Sequence, residues 1–362
     1  MKIKLLPVLP ICIITILCIF LPLMPELHAQ GARTPAERSL TIDETLRELG
    51  AVLSWDPFFA SGVLNRGENR LKFYSGMPGE QGMVLFNNRE LINLSLPFLE
   101  RGLLRFPESF VAAAKRSFSV PAADDAMRFR IAAIIIDPGH GGRDPGAIGN
   151  HTINGRRLQL QEKNVVLTVS RELAELLRRN FPDKRILLTR SGDTNPSHEN
   201  RVHVANTVPL KDNEIVIFVS VHANASRTNA NARGFEVWHL PPQTNRQLID
   251  SSRYAGNSEI VPILNDMLQE EYMAHSIQLG RTILGSLGES FGNRLPSRGL
   301  KAENWYVVRN ARMPAVLVEL AFVSNSDDAR LMSTDQDLKL FSEALYKGII
   351  DFVNYFERPW GL

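Results

Sequence analysis

IIIDPGHGG, residues 134–142, changes character halfway along. Ile134, Ile135 and Ile136 continue an apolar run from Ile131 and predict a strand buried on both faces, because a half-buried strand would alternate apolar and polar side chains. Asp137 and Pro138 then stop the run. Gly139, Gly141 and Gly142 supply a permissive backbone around a single histidine, His140. In open α/β sheets ligands sit beyond the carboxyl ends of the strands, and this histidine falls at such an end.

The rest of the chain from residue 131 repeats the same grammar. NVVLTVSRELAELLRRN (164–180) predicts a helix, with Val166, Val169, Leu173 and Leu176 or Leu177 at helical spacing. RILLTR (185–190) is a strand, HENRVHVANTV (198–208) a helix, and EIVIFVSVH (214–222) and GFEVWHL (234–240) strands. A long helical stretch covers 262–288. YVV (306–308) and AVLVEL (315–320) read as strands, and residues 337–356 as a closing helix. Strands apolar on both faces alternating with amphipathic helices predict an α/β fold: a mostly parallel twisted sheet with helices on both faces.

Three more ionisable groups fall at matching places. His222 ends IVIFVSV, and Glu319 ends AVLVE. Extending the stripe Leu173, Val169, Val166 back by one turn reaches Glu162, so a carboxylate sits on the core-facing row of its helix. That is expensive unless it is paired or bound to a cation, and Lys163 points elsewhere. Two imidazoles and a carboxylate form the ligand set of a catalytic zinc, which leaves a position for water. Such a site calls for a further carboxylate as general base and acid, a role that suits Glu319. The remaining histidines (His151, His198, His203, His239 and His275) read as surface or core, and no HExxH occurs.

The opening segment is of another kind. Lys2 and Lys4 precede an apolar run to Pro25, and Leu27-His28-Ala29 then forms a small-residue cleavage site, which predicts a cleaved export signal over 1–29. If it were not cleaved it would be a membrane anchor, the only membrane association expected. Cys12 and Cys18 both lie within it, so the remaining chain has no thiol for a disulfide, a ligand or a nucleophile. Removing Lys2, Lys4 and Glu26 from the net charge of +2 leaves +1, a balance that argues against nucleic acid as a partner. Residues 30–40 read as a linker, 41–118 as a small β-rich domain with a helix near FVAAAKRSF (110–118), 119–130 as a second linker, and 131–357 as the catalytic domain. The β-rich unit weakly resembles stalk modules beside bacterial surface enzymes, which implies binding to wall or partner.

Residues 131–356 resemble the zinc-dependent N-acetylmuramoyl-L-alanine amidases. The resemblance is carried in order by IIIDPGHGGRDPGAIG, QEKNVVL, LTRSGD, ENRVHVAN, FVSVHANAS, GFEVW and VVRNARMPAVLVELAFVSN. It implies one zinc ion held by His140, Glu162 and His222, catalysis by Glu319, and hydrolysis of the amide between N-acetylmuramic acid and the L-alanine of the stem peptide. It offers Asn224 and Arg309 as substrate-binding residues. It also implies peptidoglycan as the substrate and a location in the periplasm, the envelope or outside the cell. Some relatives carry an inserted helix that plugs the zinc site until an activator protein moves it. Glu270 or Glu271, in the 243–275 region, could form such a plug, and a plain solvated helix face is the simpler reading. Ala321 stands where the family usually has glycine, which matters only if the backbone there needs positive φ. The competing readings are a metallopeptidase of related fold and a catalytically silent wall-binding module.

Overall fold

The structure, a computed structural model, describes residues 37–57, 60–67, 69–87, 90–119, 130–153, 155–211, 213–249 and 260–357. The expected export signal and most of both expected linkers lie outside the described residues.

The N-terminal part contains β1 (Ser39–Leu40), α1 (Ile42–Leu49), β2 (Val52–Asp56), β3 (Ser61–Arg66), β4 (Asn69–Tyr74), β5 (Gln81–Phe86), β6 (Glu90–Ser95), β7 (Phe98–Glu100), β8 (Leu103–Pro107) and α2 (Glu108–Ser119). Strands β2 to β6 form an antiparallel meander, and β1, β8 and β7 form a second small sheet. Their shared core holds Leu49, Leu64, Leu71, Phe73, Phe106 and Phe110. Ser39 and Leu40, assigned to a linker from sequence, are paired with Pro107 and Phe106. Helix α1 was not expected either. It starts at a capping box in which the Glu44 amide donates to Thr41 Oγ1 and the Thr41 amide donates to the Glu44 carboxylate.

The larger part contains β9 (Arg130–Pro138), β10 (Ile148–Ile153), β11 (Arg156–Gln161), α3 (Glu162–Asn180), β12 (Arg185–Leu188), α4 (His198–Asn206), β13 (Glu214–Asn224), β14 (Phe235–His239), α5 (Ile260–Phe291), β15 (Ser297–Ala302), α6 (Tyr306–Asn310), β16 (Ala315–Phe322), α7 (Ser326–Leu331) and α8 (Asp335–Phe356). A six-stranded sheet runs in the order β12-β9-β13-β16-β14-β15. The first four strands are parallel, β14 is antiparallel to β16, and β15 runs with β14. The α/β architecture with a mostly parallel sheet is therefore as expected, with two reversed strands at one edge. Successive residues of β9 serve opposite faces. Ile134 and Ile136 join α3, α5 and α8 in one core, while Ala133 and Ile135 join α4 and α6 in the other.

Two local expectations are corrected. YVV is the start of α6, not a strand: adjacent Val307 and Val308 are both buried, beside Val202 and Ala205 of α4. The edge strand β15 was missed because none of its residues is buried and its sequence, SRGLKA, carries no apolar alternation.

Helix α5 has 32 residues, about 48 Å at 1.5 Å per residue. Its second half buries Leu279, Ile283, Leu287 and Phe291 in the larger core. Its first half meets the N-terminal sheet. Lys72 Nζ donates to the Met267 carbonyl at 2.5 Å, and Arg70 pairs with Glu271 at 3.2 Å. The reading of this helix face as solvated is thus corrected: the Glu271 side chain is only 11% exposed, and His275 packs edge-on against Phe356. Neither Glu270 nor Glu271 lines the cavity that holds His140, Glu162 and His222.

Candidate metal centre and active site

Asp137, the residue that ends the isoleucine run, is an anchor. Its buried carboxylate accepts hydrogen bonds from Arg201 at 2.8 Å, Ser220 Oγ at 2.8 Å and Thr189 Oγ1 at 2.5 Å. Arg201 also donates to the carbonyls of Pro138 and His140. Arg190 donates to the carbonyls of Pro138, Gly139 and Lys163. Two buried guanidinium groups therefore grip the loop that follows β9 by its backbone oxygens. The loop needs that grip, because His140 adopts φ +57°, a left-handed conformation that costs an L-residue about 1–2 kcal/mol. Gly139 has another reason to be glycine: a Cβ there would lie 2.3 Å from Cε1 of His222.

The parallel strands β9, β13 and β16 bring their carboxyl ends to one edge, and α3 begins beside them. Among the described residues, His140, Glu162 and His222 each offer one ligand atom, and these atoms all lie within 4.8 Å of one another. His140 Nε2 is 3.1 Å and His222 Nδ1 is 2.9 Å from the same oxygen, Oε1 of Glu162. The two rings meet edge to face, with centroids 4.9 Å apart. Glu162 is only 4% exposed and also accepts from the amides of Ala223 and Ala147. Burial pushes its carboxyl up, but the hydrogen bonds and charges of both histidines outweigh that and hold it well below the usual carboxylate range. His140 Nδ1 is held by Asp144 Oδ2 at 2.8 Å, which directs Nε2 toward Glu162. Burial lowers the His140 pKa, and the pull of Glu162 and Asp144 raises it overall. Lys163 points away to Asp193 and the Gly142 carbonyl.

Glu319 is the cross-strand partner of both His222 and Glu236. It is 8% exposed, and its Oε2 is buried without a hydrogen-bond partner among the described residues. Burial, with the nearby charges of Glu162 and Glu236, pushes its carboxyl well above the ordinary range. Glu236 is balanced by Arg298 at 2.6 Å and Lys301 at 2.5 Å, and it accepts from Asn224 Nδ2 at 2.8 Å. Asn224 lines the cavity with its amide already engaged at both ends. Arg309 does not line it. It lies over the Tyr306 ring, 5.6 Å from its centroid, and faces a neighbouring cavity. Ala321 is buried in β16 and is not among the described residues with positive φ, so the missing family glycine introduces no strain.

A nitrogen–nitrogen–oxygen donor set converging on one point, beside a buried carboxylate oxygen with no partner, fits a small divalent cation. Sequence reasoning missed several contributors. Asp144 orients His140 from four residues downstream, and Trp305, Tyr306 and His198 line the cavity mouth. The Asp144 spacing was visible in HGGRD, but a loop has no period that would have singled it out. His198 is exposed, in keeping with the surface-or-core reading, and its ring stands 5.5 Å from that of Tyr306.

A model of the N-acetylmuramoyl-L-alanine amidase family, Amidase_3, matches residues 134–351. AmiA of Escherichia coli (strain K12), an N-acetylmuramoyl-L-alanine amidase, is 30% identical over 240 residues, covering 62% of this chain and 77% of that protein. AmiC of Neisseria meningitidis serogroup B is 30% identical over 338 residues, covering 90% of this chain and 74% of that protein. The solved amidase AmiC2 of Nostoc punctiforme has 24% identity and a TM-score of 0.45, covering 61% of this chain and 97% of its own. With the family model matched over residues 134–351 and a relative 30% identical over 90% of its length, the chain belongs to the N-acetylmuramoyl-L-alanine amidase family.

Proposed function

We propose that the chain is an exported zinc hydrolase that cleaves the amide joining N-acetylmuramic acid to the L-alanine of the peptidoglycan stem peptide. The observation that carries this is the meeting of three donors, His140, Glu162 and His222, beside the unpartnered Oε2 of Glu319. His140, Glu162 and His222 would hold one zinc ion. When bound, zinc supplies Lewis acidity, which acidifies water and polarises a carbonyl oxygen. Glu319 takes the proton from the attacking water and delivers it to the departing amide nitrogen. Burial, with the nearby charges of Glu162 and Glu236, strengthens its carboxylate as a proton acceptor, and the proton it gains is the one passed to the nitrogen. Asp144 fixes the ring of His140, and Asn224 acts as a positioning residue through Glu236. Export is supported by the basic and apolar character of residues 1–29 and by the confinement of both cysteines to them.

The test is metal analysis together with digestion of purified peptidoglycan. Wild type should carry one zinc per chain and release stem peptides. Glu319→Ala should keep its zinc and lose release, and His140→Ala should lose both. Full-rate release by Glu319→Ala would remove Glu319 from the reaction, and stoichiometric zinc in His140→Ala would remove His140 from the ligand set.

A further inference from the structure

Beside the donor cavity lies a second cavity of about 770 Å³, and Tyr306 lines both. Its ring stands between His198, on the donor side, and Arg309, on the other. The second cavity is basic: among the described residues Arg246, Arg309 and Arg312 line it, against one carboxylate, Glu199, which accepts from the Tyr306 hydroxyl at 3.2 Å. Arg246 is the unusual member. It is half-buried, donates to the Ala311 carbonyl at 3.0 Å, and its Nε atom is buried with no partner among the described residues. Among the described residues, neither Arg246 nor Arg309 is within ion-pair distance of a carboxylate. A guanidinium with a buried nitrogen and no anion is costly, and such a site is matched by a carboxylate brought from outside.

We propose that this cavity is the subsite for the stem peptide, with Arg246 and Arg309 binding a carboxylate of that peptide. The assignment rests on the amidase reading above. Charge decides which end of the substrate enters. In peptidoglycan the lactyl carboxyl of muramic acid is consumed in the amide, so the N-acetylated glycan strand is neutral. The acidic groups belong to the peptide, on the leaving-amine side of the scissile bond. A substrate with its amide at the three donors therefore sends its peptide past Tyr306 into the basic cavity and its glycan elsewhere.

The experiment compares kcat/KM on two soluble muropeptides that differ only in whether the carboxylates of the stem peptide are free or amidated. It uses zinc-loaded wild type, Arg309→Gln and Arg246→Gln. Wild type should prefer the free acid by roughly 10- to 100-fold, mainly through KM, and in each variant the KM for the free acid should rise until that preference is lost. Arg309→Gln decides the matter if Arg246→Gln does not fold. Equal rates of wild type on the two substrates would overturn the proposal, as would variants that slow both substrates alike and keep the preference. No turnover of either substrate by wild type would instead sink the amidase reading, and the subsite with it.

Discussion

Gly139→Ala adds one methyl group, and His222 occupies the space it needs. On the present backbone the new carbon would lie 2.3 Å from Cε1, 2.5 Å from Nε2 and 2.7 Å from Nδ1 of the imidazole. Comfortable carbon contacts are about 3.5–4.0 Å, so the ring or the loop must retreat by about 1 Å. The loop is the stiffer of the two, because Arg190 and Arg201 hold its carbonyls from Pro138 to His140. The ring must therefore turn aside, whereas metal–ligand distances tolerate only about 0.2 Å. Overpacking of this kind costs about 1–3 kcal/mol. If the ring can swing away when no metal is bound, the strain falls on the metal-loaded state and weakens zinc binding roughly 5- to 150-fold, at 1.4 kcal/mol per decade. A competition titration against a chromogenic zinc chelator reads this, with a melting curve of the metal-free protein to show that it folds. Wild-type affinity in folded Gly139→Ala protein would refute the reasoning, since it would mean that His222 does not need its present position to bind metal.

Two further outcomes follow from contacts outside the donors. Asp144→Asn should weaken zinc binding about 10- to 100-fold, because Asn cannot match the carboxylate that holds His140 Nδ1; an unchanged affinity in the chelator titration would show that the left-handed backbone alone orients the ring. Glu271→Gln should lower stability by about 3 kcal/mol at pH 7, read as the urea midpoint, because Arg70 loses this ion pair and Lys72 loses one of two neighbouring carboxylates. Burial raises the Glu271 carboxyl, but Arg70, His275 and Lys72 together hold it far below its usual range. A group depressed in this way stabilises above its unfolded pKa and loses that contribution as the pH falls toward its folded one. Wild type should therefore lose stability on acidification below the ordinary carboxylate range, and the variant should lose less; parallel acid limbs would exclude Glu271 as the source.

The parallel strands and their covering helices were legible because double burial leaves apolar runs with no alternation, as in β9 and β13. Glu162 stood out because it continued an apolar helical row, and the structure buries it there. Elements that carry little burial left little trace: β15 lies at the sheet edge with none of its residues buried, and the β10–β11 hairpin is largely polar. Helix α1 does carry a signal, the TIDE capping box, but its 8 residues are too few for an apolar period to stand out. YVV was ambiguous because three apolar residues have no period. The engagement of Glu271 by Arg70 joins positions 201 apart in the chain, and no local pattern encodes such a contact.

The length of α5 has a mechanical consequence. One end of this rod is embedded in the hydrolase core and the other is fastened to the sheet of the N-terminal part by Lys72 and Arg70. A stiff spar rooted in both bodies passes torque from one to the other. Whatever the leading part of the chain grips, the angle at which the cleft meets its polymer is set by that spar and not left to a flexible tether.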